Sequence, residues 1–416
     1  MEDKFLLGVN YWPRRKAMTW WSQFDADEVD EEFGIIQNLG LNIVRIFLLW
    51  DDFQPDPAEV DINALENLVK TADLAAKHHL GLDVTFFTGH MSGPNWAPRW
   101  LLTDESGYAS PYFAWVQQVI SQGKVIPGGN YRNMISDKTA LQAERLLLRT
   151  VVSRLKDHPG IYMWNLGNEP DLFAWPKDEQ AGLDWVKEMK DLIKRIDPVH
   201  PVTIGTHGDS LGRNNGFRID MIHAETDIPV MHSYPMYCDW ARGPLDPDYV
   251  PFTTALTAAL AGKPALMEEF GGCTNLPGMP SETWEWESYG NPRAQFMASE
   301  EEFAEYMRQV LPRLQEVGAA GAFTWCFADY STDLWDVPPC FESRHERHFG
   351  LVRPDGSLKP HADVIRQFAD TNPVIKPIPD FARFPGLSGD AYYKSDLEEF
   401  QPELYRQYLE KKEGNK

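Results

Sequence analysis

Two glutamate-bearing segments have the composition for acid–base chemistry. WNLGNEP sets Asn168 and Glu169 at the end of one short apolar run, and ALMEEFGG sets Glu268 and Glu269 at the end of another, with Glu269 100 residues beyond Glu169. Two carboxyls flanking a glycosidic bond are what acetal hydrolysis needs: one protonates the leaving oxygen while the other attacks or stabilises the anomeric carbon. A retaining pair stands about 5 to 5.5 Å apart. Its members need unlike surroundings, raising the pKa of the acid, Glu169, and depressing that of the nucleophile, Glu269. Arg45, closing the apolar NIVR, can hold the nucleophile ionised, and Tyr234 can give it a second hydrogen bond. Asn168 can orient a sugar 2-hydroxyl. An Asn-Glu-Pro triplet alone also fits a polar cap before a helix. Strand alternation puts Ala265, Met267 and Glu269 on one face and Leu266 and Glu268 on the other, so one glutamate alone faces inward; with Glu269 in that place, Glu268 is an outer-face carboxylate.

Elements able to hold these residues recur along the chain. Short apolar runs near 5–11, 42–49, 80–87, 160–167, 201–206, 228–233, 263–268 and 320–327 alternate with helical patterns at 27–39, 62–78, 138–156, 178–195, 210–224, 250–261, 300–316 and 359–369. Eight strands with helical crossovers predict an α/β fold, a (β/α)8 TIM barrel spanning 1–370, whose reacting groups sit at the C-terminal ends of the strands. The segment 88–137 after the third strand, with Trp96, Trp100, Tyr108, Tyr112, Phe113 and Trp115, is long enough to form a wall or lid over that rim. Trp284, Trp286 and Tyr289 follow strand seven, and Trp335 follows strand eight. Of these aromatics, Trp96 and Trp284 are expected to contact substrate, ordinary loop packing being the alternative. Residues 371–416 read as a C-terminal extension packing along the barrel.

Composition narrows the partners. Asp and Glu number 62 against 39 Lys and Arg, for a formal charge of -23, which disfavours nucleic acid and anionic membranes and suits a small neutral substrate or a solvated surface. Four cysteines, Cys238, Cys273, Cys326 and Cys340, lack metal-site spacing and read as free core thiols. The start MEDKFLLGVNYWP has no basic, apolar leader pattern, so a cytoplasmic location is expected. A homodimer is the base-rate expectation.

These residues in this order resemble the glycoside hydrolases of family 5, within the clan of retaining (β/α)8 glycosidases, over residues 5–370. Arg45 is similar to that family's strand-two arginine, His90 in FFTGH to its strand-three histidine, and Asn168 and Glu169 to its asparagine and acid/base. His232 and Tyr234 in MHSY resemble its strand-six pair, Glu269 in EEFG its nucleophile, and Trp325 in FTWCF the tryptophan flooring the sugar site. The resemblance implies double displacement without metal or cofactor. GVNYWP, the long third loop and HFGLVRPDGSLKP look most like bacterial β-mannosidases acting on small mannosides such as Man-β-1,4-GlcNAc, which implies an exo-β-mannosidase. Endo-β-1,4-mannanases, glucanases and β-glucosidases share the same set. A metal-dependent sugar isomerase using Glu169, Glu269, His207, His232 and Asp209 is the alternative of another class, and Arg45 argues against it. A silent carbohydrate-binding module is disfavoured by the two carboxyls. His207 and Asp209 read as loop hydrogen-bond partners outside the catalytic set.

Overall fold

Eight parallel strands form one sheet in the computed structural model, which describes residues 4–104, 118–127 and 129–414. They are β1 Leu6–Asn10, β2 Ile43–Leu49, β3 Gly81–Thr88, β4 Ile161–Asn168, β5 Val202–Gly205, β6 Val230–His232, β7 Leu266–Gly271 and β8 Gly321–Trp325. The sheet runs β5-β4-β3-β2-β1-β8-β7-β6. It closes where His232 N–H donates to Thr206 O at 2.8 Å and His207 bridges His232. The crossover helices are α1 Ala26–Asn38, α2 Ile62–Lys77, α3 Lys138–Leu155, α4 Glu179–Ile196, α5 Ile219–Glu225, α6 Tyr249–Ala261, α7 Glu300–Glu316 and α8 Pro360–Asp370. The fold is thus the (β/α)8 TIM barrel. Asp25, Asp61, Asp137, Asp178 and Ser299 start α1 to α4 and α7 by accepting first-turn N–H groups that have no partner within the helix. The helix expected over 210–224 is two pieces, Gly208–Gly212 and α5, parted at a segment where Gly216 has φ +88°.

The barrel interior is layered. Ile43, Met163, Val230, Leu266 and Phe323 form a separate apolar plug towards the N-terminal ends of the strands. Gly8 makes room for it, since a Cβ there would come within 2.5 Å of the Phe323 ring. Two residues further along β2, β4 and β7 stand Arg45, Asn165 and Glu268, fully buried with Asp83 and Thr85 of β3.

Above this layer the strands that carry the two glutamates each gain one residue. Thr203 and Gly205 of β5 pair with Asn165 and Asn168 of β4, and Ala322 and Thr324 of β8 pair with Met267 and Phe270 of β7. On its other edge β7 sets Met267 and Glu269 against the consecutive Met231 and His232. Such bulges interrupt the alternation of faces and re-aim side chains.

The described part of the 88–137 segment is anchored to the rim. Trp96 N–H donates to Gly89 O at 2.6 Å, and Asn95–Trp96 joins Val119–Ser121 and Lys124–Ile126 in a small sheet. Tyr108, Tyr112, Phe113 and Trp115 lie outside the described residues. In the tail, the helix Leu397–Gly414 sets Tyr405 and Tyr408 against Phe252 of α6, with centroids 5.0 and 5.6 Å apart, and Lys412 Nζ donates to Asp248 at 2.8 Å. All four cysteines are free. Among the described residues no helix is long and apolar enough to cross a membrane.

Candidate active site

Glu169 ends β4 with left-handed backbone angles, φ 47° and ψ 56°, an uncommon conformation for a residue other than glycine. Its N–H donates to Gly205 O at 3.1 Å, and Pro170 then opens a four-residue helix. Glu269 sits across the mouth, and the two carboxylates present oxygens within 4.8 Å of one another. Glu269 Oε1 accepts from Tyr234 Oη at 2.6 Å and Oε2 from Arg45 Nη1 at 3.2 Å.

Arg45 spends its whole fork on this centre. Nε donates to Thr85 Oγ1 at 3.0 Å, Nη1 also to Asn10 Oδ1 at 3.1 Å, and Nη2 to Asn168 Oδ1 at 3.0 Å. Asn168 Nδ2 donates in turn to His90 O at 3.0 Å, while His90 Nδ1 meets Asn95 Oδ1 at 2.8 Å. A Cβ on Gly205 would lie 3.0 Å from Arg45 Nη2 and 3.1 Å from His232 Cε1, so glycine permits the close approach of both cations. Trp325, buried and edge-on to Phe47, donates its indole N–H to Glu346 Oε2 at 3.3 Å. The structure therefore gathers Arg45, Asn168, Glu169, His232, Tyr234 and Glu269 into one hydrogen-bonded group, with His90 joined through Asn168.

Trp96 and Trp284 are placed differently. Trp96 is buried with its indole N–H donating to Met91 O at 3.1 Å. Trp284 lies on the hairpin of Glu282–Ser288 and Asn291–Met297, edge-on to His348 with its N–H on Glu282. Among the described residues no hydrogen bond or ring contact joins either to the two carboxylates.

Glu268 is not an outer-face residue. The interior face of β7 is that of Leu266 and Glu268, and the extra residue before Phe270 then turns Glu269 inward as well. Faces alternate only along an unbroken strand. Glu268 Oε2 lies 3.0 Å from His232 Nε2 and 3.4 Å from Arg45 Nη2, and Oε1 accepts from Asn165 Nδ2 at 3.0 Å.

The division of proton affinity is also the reverse of the expected one. Burial pushes the Glu169 carboxyl up, but the charge of His207, the hydrogen bond and charge of His232, and His90 outweigh it and hold Glu169 well below the ordinary carboxylate range. Burial, helped by repulsion from Glu169, raises Glu269 against the pull of His232, Arg45 and Tyr234. Burial works against the charge of His232 too, yet Glu269, Glu169 and Glu268 hold it protonated to about 9. His207, paired with Asp171 at 2.8 Å, overcomes burial in the same way and is raised to about 10. His207 thus belongs to the electrostatics of the site, whereas Asp209 pairs with Arg213 at its edge.

Glu346 is a further residue that motif reading missed. Burial raises it to about 7 against the Ser92 and Trp325 donors, and it repels both Glu269 and Glu169. Its only signal in the sequence is an acid set among the bases of RHERH.

One oxygen or nitrogen each from Glu169, His232 and Glu269 could converge on a cation. The donor set fits poorly. Both ring nitrogens of His232 already face carboxylates, and Arg45 holds Glu269. The arrangement suits a neutral polyol with a reacting carbon between two carboxylates.

Known proteins share the barrel. Residues 104–371 match the family model "Glycosyl hydrolases family 2, TIM barrel domain". A mannan endo-1,4-β-mannosidase A of Hypocrea jecorina is 25% identical over 292 residues, 62% of this chain and 60% of that protein. The chain spans about three fifths of the length of the curated relatives it matches. Among solved structures, the exo-β-1,4-mannosidase Op5Man5 from Opitutaceae bacterium strain TAV5 superposes with a TM-score of 0.69 at 24% identity, covering 89% of this chain and 60% of that one. A GH5_18 variant from Bifidobacterium longum subsp. longum in complex with Manβ1-4GlcNAc gives 0.70 at 20% identity, covering 90% and 80%. These structural likenesses establish the shared barrel. The motifs resemble family 5 while the matching model is of family 2, and a TIM-barrel glycosidase is what the two have in common. The chain belongs to the glycosyl hydrolases described by that TIM barrel model.

Proposed function

We propose that this chain is a retaining exo-β-mannosidase of the family 5 type, with Glu269 as nucleophile and Glu169 as acid/base. The carrying observation is the carboxylate pair itself: oxygens within 4.8 Å, one member braced by Arg45 and Tyr234 and the other hydrogen-bonded to an imidazole. Oxygens this close fit the retaining spacing of about 5 Å, at which the second carboxyl attacks carbon directly, better than the wider inverting one.

Glu269 attacks the anomeric carbon as Glu169 gives a proton to the leaving oxygen. Glu169 then takes a proton from the water that cleaves the glycosyl-enzyme, and the configuration is retained. Asn168, fixed by Arg45 and His90 O, is set to meet the 2-hydroxyl, and Trp325 offers its ring as the floor.

The mannoside preference is supported by the relatives named as mannan-cleaving enzymes and by the mannosidase and Manβ1-4GlcNAc-bound neighbours. A small imported disaccharide as substrate carries a cytoplasmic location with it. Proton NMR of p-nitrophenyl-β-mannoside hydrolysis tests the reading: β-mannose forms first, faster than glucose from the gluco epimer. First-formed α-mannose or a gluco preference overturns it. The endo-acting relatives favour a second reading, and equal amounts of mannose and mannotriose as the first products of β-1,4-mannotetraose, without mannobiose, separate exo from endo action. Full activity after chelation is expected, against the isomerase alternative.

A further inference from the structure

The mechanism above leaves Glu268 unused, although it is the carboxylate most completely enclosed in protein around His232. The ring of His232 stands between two carboxylates, with Nδ1 2.9 Å from Glu169 Oε1 and Nε2 3.0 Å from Glu268 Oε2. Arg45 and Asn165 both donate towards Glu268, which keeps it an acceptor, so Nε2 carries a proton. One more proton then lies in the bond between Nδ1 and Oε1, on either atom. A carboxylate behind an imidazole fixes its orientation and stabilises its charged form.

We propose that Glu268, sealed from solvent, is a positioning residue that acts through His232, holding in the Glu169–His232 hydrogen bond the one proton that Glu169 delivers to the leaving group. This rests on Glu169 being the acid/base.

The proton balance closes over a turnover. The shared proton passes from Nδ1 to the Glu169 carboxylate and on to the leaving oxygen, leaving His232 neutral with Nε2–H on Glu268. In the second half Glu169 takes a proton from the attacking water and returns it to Nδ1.

Other charges around the ring come from every side. Arg45 of β2 stands 3.4 Å from Nε2 and opposes a proton there. Glu269 Oε2, 3.5 Å from Nδ1, favours one. His207 after β5 and His90 after β3 act on Glu169. Asp83 of β3, 3.9 Å from Arg45 Nε, is pushed up by burial and by Glu268, and Tyr234 stays neutral through burial. Against these, Glu268 is the negative group bound to the far nitrogen.

The test is the pH profile of kcat/KM on p-nitrophenyl-β-mannoside for wild type, Glu268→Gln and Glu268→Asp. Glu268→Gln is expected to move the alkaline limb down by about one unit, as loss of one buried charge at hydrogen-bond distance should. The acid limb, set by Glu269, moves down with it. Glu268→Asp keeps the charge and leaves both limbs in place while the maximum falls. Unmoved limbs in Glu268→Gln, or equal shifts in both variants, overturn the proposal.

Nitrogen-15 spectra of the His232 ring, assigned with His232→Asn, give a readout independent of activity and of whether Glu268→Gln folds. A proton on Nε2 throughout, with Nδ1 losing its proton near the alkaline limb, is expected. An Nε2 without a proton at neutral pH overturns it. If wild type shows no retaining β-mannosidase activity the functional reading fails instead, a result visible without any variant at position 268.

Discussion

The plug and the layer above it share β2, β4 and β7, two residues apart, and obey opposite rules. Ile43, Met163, Val230, Leu266 and Phe323 are apolar and make only packing contacts with one another. Arg45, Asp83, Asn165 and Glu268 are equally enclosed but polar, with Glu268 held by Arg45 and Asn165. In the plug, shape sets the energy and one methyl group more or less is felt locally. In the charged layer, removing one partner strands another, and the loss reaches every group it was holding. The barrel concentrates its fold-holding and its chemistry at different heights of one interior.

Breaking the upper layer at the rim should have the largest effect on activity. Glu269→Ala is expected to lower kcat/KM by at least about 10⁴-fold, by analogy with removal of a catalytic nucleophile. Its melting temperature should fall, because Arg45 and Tyr234 each lose an acceptor. Calorimetry alongside kinetics reads both. Next comes Glu169→Ala, with a loss of about 10² to 10⁴ on poor leaving groups. The first step on activated aryl mannosides is spared, and azide restores turnover as β-mannosyl azide.

The plug breaks in the other direction. Phe323→Ala should cost about 3 to 5 kcal/mol of stability, read by urea unfolding, while kcat/KM per folded molecule stays close to wild type. A comparable loss in kcat/KM would mean that the two heights are not separable.

A smaller effect sharpens the contrast through pH. The His232 ring titrates at about 9, above the ordinary imidazole value of about 6.5 in the unfolded chain. Its contribution to stability is therefore complete below pH about 6.5 and fades as pH rises through about 9. Unfolding across that window should lose this dependence in His232→Asn. The acid limb of kcat/KM should lie above the ordinary carboxylate range, since Glu269 is raised and must be ionised to attack. The smallest change is at Trp284→Ala, expected to raise KM for oligosaccharides by about threefold at most with kcat unchanged, the ring being set against His348 and not the carboxylates.

Much of this barrel was legible because its signals are local. Eight apolar runs and strand-end polar residues each announce themselves within a few positions, and the family-5 resemblance put Arg45, Asn168, Glu169, Tyr234 and Glu269 in one place. What was not legible depends on register and on through-space charge. Nothing in ALMEEFGG marks the residue added before Phe270, so period-two reasoning assigned Glu268 to the wrong face. The inverted affinities of Glu169 and Glu269 follow from three imidazoles, His207, His232 and His90, gathered about Glu169 while burial and Glu169 itself raise Glu269, a juxtaposition that separate strand ends make together. Glu346 arrives from a loop beyond β8 with no motif of its own. Trp96 illustrates the limit of composition, since an aromatic in a long insertion packs inside that insertion as readily as it faces a sugar.

The extra residue in β7 means that this site cannot be copied as a motif. A designer who grafts the EEFG tetrapeptide onto a regular strand of another barrel would obtain a single inward glutamate and an outward one, with correct spelling and no nucleophile. Conversely, deleting one residue between Met267 and Phe270 would leave every named side chain but one in the chain while turning the strand end by half a period. The transferable unit is a length mismatch between neighbours, written in three strands at once.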